Sequence, residues 1–270
     1  MSTTTAPTPP AATSRGVPFA ASTTTRVVTF LLLAYTVYAV AQLDFSWNRF
    51  VEGLGHGARL IGKMFPPDLG KWDILVKGMV ESMQIAVLAT VLGISISLPL
   101  GFLGARNLMP GWVTWIARAI VAICRSLHPV IVAILFVKAV GFGALAGILA
   151  LTVASIGFVG KLFAEAIEEI SPKQVEAVRA TGASFMNGIR RGVLPQGMAR
   201  FVGFVTYQLD SNLRNSTMVG IVGAGGIGGA LFSAFQRFDY GFVFTILATI
   251  VCIIVLAEIG TNYVKKVFHV

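Results

Sequence analysis

Charge is what this chain has least of. Asp, Glu, Lys and Arg together make up 12% of its 270 residues, against about 25% in an ordinary soluble domain. That deficit excludes a large water-facing surface. Cysteine is nearly absent as well. Cys124 and Cys252 both sit inside apolar runs, which excludes a disulfide scaffold and a cysteine metal site. The three histidines are dispersed, and His128 has no second His, Cys or carboxylate at ligand spacing, so it is not read as a metal ligand. Paired carboxylates and a nucleophile triad are missing, which leaves a membrane-embedded enzyme without support. What remains is 55% hydrophobic residues and a mean hydropathy of +0.78, the profile of an all-α, polytopic membrane bundle. The net charge of +9 resides mostly in short loops between apolar runs, so it reads as membrane topology and not as nucleic-acid binding.

Taken in order, residues 1–25 are Thr/Ala/Pro-rich and nearly uncharged apart from Arg15, a disordered tail by composition. Residues 26–43 hold a first span over Val27 to Leu43. Residues 44–79 form an external, interfacial segment in which a short in-plane helix keeps lysines at headgroup level. Residues 80–270 form the core. Its spans are expected at Val80–Leu103, kinked at Pro99, and at Trp112–Val140, Phe142–Phe163, Phe201–Val222 and Phe242–Ile259, six in all with the first. Six spans put both termini on one side, together with Arg106, Arg179, Arg190, Arg191, Arg200, Lys265 and Lys266. The other side holds Arg49, Arg59, Lys63, Lys71, Lys77 and Arg237. The richer side is expected to be cytoplasmic.

Two glycine patterns invite a nucleotide reading, and neither sustains it. Gly57 to Met64 nearly spells a phosphate loop, but Met64 stands where a Mg²⁺-binding hydroxyl is needed. Gly223, Gly225 and Gly228 satisfy G-x-G-x-x-G, yet they follow a polar-lined membrane helix and not a strand. Together with Gly226 they are expected to make a tight turn with close backbone approach.

Charges inside the spans are costly unless they face the bundle interior, water or an interface. Arg118 and Lys138 fit snorkelling near helix ends. Arg125 and His128, beside Pro129, lie deeper and are candidates for a translocation path. Asp210, Asn212, Arg214, Asn215, Ser216 and Thr217 crowd one short stretch that cannot face lipid. They read as a pore lining or a subunit interface. Asp210 and Arg214 share a helix face and can pair, either as a buried structural pair or on a pathway.

The long polar interruption lies at residues 170–200. Ser171, Pro172 and Gln174 spell a helix start. Gly182 can end that helix in a left-handed turn, and a second short helix fits Ser184 to Arg191, ended by Gly192. Pro195 marks the turn into the next apolar run. Glu176-Ala177, then Gly182, then Leu194-Pro195 resembles the EAA loop of ABC importer permeases, with Val178 replacing the second Ala and Gly192 the Ile. The entry to the core, MFPPDLGKWDILVKGMVESMQIAVLATVLG, looks like that of phosphonate-type permeases, and the stretch NSTMVGIVGAGGIGG resembles the corresponding region of methionine- and phosphonate-type permeases. RATGAS, GVLPQ and NLR look most like the phosphonate/phosphite branch. The resemblance covers Met64 to Lys266. It implies a type I importer permease of the bacterial inner membrane that dimerises around a pore, as a homodimer or with a second permease chain. Its partners would be ATP-binding subunits, which carry ATP and Mg²⁺, and an extracytoplasmic phosphonate-binding protein. Lipid would surround it, and no cofactor is implied on this chain. It also implies that Glu176, Ala177, Gly182, Leu194 and Pro195 couple to the ATPase. Rival readings are a methionine importer of the same architecture and an ion-coupled secondary transporter.

Overall fold

Every regular element described in the computed structural model is helical. The structure describes residues 23–43 and 46–267, so most of the expected N-terminal tail lies outside the described residues. The chain divides into two compact units, one up to Arg59 and one from Leu60 onward.

In the first unit, α1 (Thr23–Gln42) is apolar and buries no residue. Helix α2 (Trp47–Lys63) segregates its side chains sharply. Trp47, Phe50, Val51, Leu54 and Ile61 recur at helical spacing on one stripe and are exposed. Arg49, Glu52, His56, Arg59 and Lys63 fall on the opposite one. This is the pattern of a helix suited to lie in a membrane interface.

The second unit is built on α3 (Trp72–Gly104) and α6 (Ala144–Glu168). These helices touch through small residues. A Cβ on Gly93 would sit 2.3 Å from Ser155 Cβ, and one on Gly101 would sit 2.6 Å from Phe163 Cβ. Close backbone approach of this kind drives packing where no hydrophobic effect separates helix from lipid. Between them the chain forms α4 (Gly111–Ser126) and α5 (Pro129–Val140). After α6 come α7 (Pro172–Ala180), α8 (Phe185–Gly188), a π-helical segment (Ile189–Val193), α9 (Leu194–Ile221), α10 (Ile227–Gln236) and α11 (Tyr240–Val267). One buried cluster joins Ile85, Val132, Leu151 and Val219 across four helices, and another joins Leu75, Ile227, Phe242 and Ile246. The outward residues of α3 and α11, such as Val80, Val87, Val91, Val251, Val255 and Ile259, are apolar and exposed, as lipid contact requires.

The segment before α3 is tied to the α10–α11 turn. Lys71 pairs with Asp68 at 3.3 Å and with Asp239, and Thr245 Oγ1 donates to the Asp68 carbonyl at 2.9 Å. The Gly70 N–H and the Lys71 ammonium hold the Asp68 carboxyl below its usual range, while Asp239 pushes Lys71 up.

Three expectations change. Helix α3 starts at Trp72 rather than Val80 and contains Pro99 in its interior. The expected third span is not one helix, because α4 and α5 meet at 90°. Leu127 and His128 are extended, as a residue before proline prefers, and His128 caps α5 by accepting the Val130 N–H. Finally, four described helices are long and apolar enough to cross a membrane, or five if the bent pair is one span, against the expected six. The difference is α9, which is long enough at 28 residues but carries the polar stretch.

Candidate functional site

Two regions gather the polar residues of the core: the hairpin from α7 to the π segment, and the polar face of α9.

In the hairpin, Glu176 and Ala177 are exposed on α7. Gly182 has φ +75°, the left-handed turn expected of it, and a Cβ added there would meet no atom within 4 Å. The Gln174 and Arg179 side chains lie outside the described residues. The second arm departs from expectation. No break follows Gly192, which is buried, and Pro195 does not begin a new turn of the chain. Instead α8 passes through the π segment directly into α9. Leu194 N–H bonds the Ile189 carbonyl, a five-residue step. A proline in an α-helix clashes with the carbonyl four residues earlier, and a widened turn before Pro195 relieves that contact. Val193 is 1% exposed and packs with Ile167, Ile170 and Phe201, so the arm is anchored on the bundle. Glu169 pairs with Arg200 across the hairpin base.

On α9 the crowded polar residues separate by face. Asn212 and Ser216 are fully buried within this chain. Asn212 Nδ2 donates to Thr90 Oγ1 at 2.9 Å and to Ser155 Oγ at 3.0 Å. Gln208 Nε2 donates to Asn212 Oδ1 and Ser155 Oγ, both at 2.9 Å. This network ties α3, α6 and α9 together. Ser216 Oγ donates to the Leu213 carbonyl. Asp210 and Arg214 do pair, with the arginine half-exposed.

Asn215 lines a cavity of about 210 Å³ at the α4–α5 break, together with Arg125, Tyr207, Gln208 and Ser211. Of the expected pathway residues, Arg125 and Asn215 thus meet at one place. His128 serves as the α5 cap and is not among the cavity's lining residues. Tyr207, Ser211 and Asn215 are spaced four apart, a stripe visible in the sequence that the charged residues around it obscured. Arg118 is part-exposed and partnered. It bonds Glu168 of α6 at 2.7 Å and the Gly104 carbonyl at 2.9 Å. Lys138 is exposed in the last turn of α5.

The glycine turn after α9 is as tight as expected. Gly223, Gly225 and Gly226 all have positive φ, from +78° to +88°. A Cβ on Gly228 would lie 2.0 Å from the Thr217 carbonyl oxygen, so α10 folds back against α9 backbone to backbone. Ser82 of α3 accepts the Ile227 N–H at 2.9 Å and caps α10.

The chain is 35% identical, over 89% of its length and 87% of the relative's, to the phosphite transport system permease protein PtxC of Stutzerimonas stutzeri. It is 36% identical over 86% of its length to the phosphate-import permease protein PhnE of Mycolicibacterium smegmatis, of which it spans 44%. Its fold matches a chain of the MetNI methionine ABC transporter in an inward-facing conformation, with TM-score 0.65 and 26% identity over 74% of this chain and 99% of that one. A family model for the binding-protein-dependent transport system inner membrane component matches residues 97–269. The helical bundle, the exposed hairpin and these likenesses agree: the chain belongs to the binding-protein-dependent transport system inner membrane component family, as a non-catalytic permease subunit of an ABC importer.

Proposed function

We propose that this permease carries phosphonate or phosphite-type oxyanions delivered by an extracytoplasmic solute-binding protein. The observation that carries the substrate class is the likeness to PtxC over most of both chains. ATP and Mg²⁺ are held by a partner ATP-binding subunit that docks on the hairpin at Glu176, Ala177 and Gly182. The exposure of α7 and the left-handed Gly182 turn support docking, because such a hairpin suits a groove on another protein. Leu194 and Pro195 then serve as the junction to α9. Two copies of the chain enclose the route, with both termini and the hairpin in the cytoplasm.

Uptake in cells expressing this chain with its ATPase and binding protein tests the reading. Phosphonate or phosphite uptake that needs both this chain and an ATPase with an intact nucleotide-binding lysine is the expected result. A second reading, a methionine importer, is favoured by the MetNI fold match, and uptake of methionine alone would establish it. Uptake without any ATPase would move the chain to the secondary transporters.

A further inference from the structure

Arg125 is a cation in the middle of a bent span; it also borders a cavity of about 390 Å³ with Arg118, Lys161 and Glu165, but there the Glu165 carboxylate is paired with Lys161 at 3.3 Å. The other cations of α4, α6 and α9 all have a carboxylate partner: Arg118 with Glu168, Lys161 with Glu165, Arg200 with Glu169, and Arg214 with Asp210. Among the described residues none makes an ion pair with Arg125. Its side chain is exposed in this chain, while the backbone that carries it is fixed in place. A Cβ on Gly157 of α6 would lie 2.6 Å from the Arg125 nitrogen and 2.8 Å from its Cα, so α4 rests there directly on the α6 backbone.

The wall opposite supplies neutral donors. Ser211 Oγ accepts from Asn215 Nδ2 at 3.4 Å, which leaves the serine O–H free to donate. The Tyr207 ring stacks on Phe158 with centroids 5.4 Å apart, which steadies the phenol that lines the cavity. Gln208 spends its amide hydrogens on Ser155 and Asn212 and acts as inert wall. No carboxylate lines the cavity, so an ammonium group would find no charged partner in it.

We propose that this cavity is an anion subsite on the translocation route, with Arg125 as its charge and Tyr207, Ser211 and Asn215 as its neutral donors. It takes a small tetrahedral oxyanion. The proposal rests on the permease reading above and extends it, because it separates the two arginines. Arg214 is neutralised by Asp210, whereas Arg125 keeps its full charge for the ligand. One cation with three neutral donors makes a weak site, which a carrier must have if the ligand is to leave.

The test uses the whole importer in proteoliposomes, with phosphite, methylphosphonate and methionine as probes. Arg125→Gln should lower transport of the phosphorus anions roughly tenfold or more, the loss of one charge-assisted contact. Arg125→Lys should retain most of it, and assembly with the ATPase should be unchanged. Asn215→Asp sets a carboxylate beside Arg125 at nearly constant volume and should lower anion transport as far. It carries the test alone if Arg125→Gln does not assemble. Anion transport at the wild-type level in an assembled Asn215→Asp importer overturns the subsite and leaves the permease reading intact. A wild-type importer that moves methionine and neither phosphorus anion overturns both.

Discussion

Replacing Asn212 by leucine removes three hydrogen bonds from the centre of the bundle while keeping a side chain of similar length. The bonds run to Thr90, Ser155 and Gln208, on α3, α6 and α9. The Thr90 and Ser155 hydroxyls keep their own protons satisfied on the Ala86 and Leu151 carbonyls. The group left without a partner is one N–H of Gln208, which is 3% exposed. Hydrogen bonds inside membrane bundles average about 0.6 kcal/mol each, so the three amount to about 2 kcal/mol. Stranding the Gln208 N–H adds about 1 kcal/mol. We expect Asn212→Leu to cost about 3 kcal/mol, read by SDS titration of the purified protein in mixed micelles with tryptophan fluorescence. A double-mutant cycle with Thr90→Val should return a coupling near 0.6 kcal/mol. A leucine variant within about 0.5 kcal/mol of the native protein, with no coupling to Thr90, would refute the reasoning and leave helix packing alone as the tie between α3, α6 and α9.

Gly228→Ala drives a methyl group into the Thr217 carbonyl and should abolish monodisperse protein after extraction, whereas Gly229→Ala, whose nearest neighbour is 3.6 Å away, should be tolerated; size-exclusion profiles separate the two. Gly182→Ala must hold an L-residue at φ +75°, at about 1–2 kcal/mol, so the bundle should extract normally but co-purify less with its ATPase, and Gly182→Asn should recover part of the loss. The Asp68–Lys71–Asp239 cluster should stabilise the protein across neutral pH. Because the Asp68 pKa is lowered in the folded state, its contribution is complete above about 4 and is lost as pH falls below the ordinary carboxylate range. The Lys71 pKa is raised, so its contribution is complete below about 10 and is lost only at higher pH. Thermal unfolding in detergent from pH 3 to 9 should therefore fall only at the acid end, and Asp239→Asn should lower the plateau.

Local signals were legible wherever one residue type had one physical use. Gly182 announced a left-handed turn and the glycines after α9 a tight turn with close backbone approach, and the structure has both. The split of the α9 polar stretch was also open to reading, since Asn212 and Ser216 are four apart while Arg214 lies on another side of the helix. The direction of each face was not. It depends on Thr90 and Ser155, far away in the chain. The same holds for Arg118, whose partner Glu168 is 50 residues distant. Pro129 did hint at the α4–α5 break, but an apolar run looks alike whether it is straight or bent. The π segment left no trace in composition, because it arises from how Pro195 fits on a buried Val193.

That unbroken passage from α8 into α9 has a mechanical consequence. Phe185 and Ile221 belong to one hydrogen-bonded rod with a contour of about 55 Å at 1.5 Å per residue. Twist applied at one end has no slack loop in which to dissipate. Tyr207, Ser211 and Asn215 ride on that rod, as do Gln208 and Asn212, and turn with it. The π turn, with its wider ring, is where such a shaft has the most torsional give.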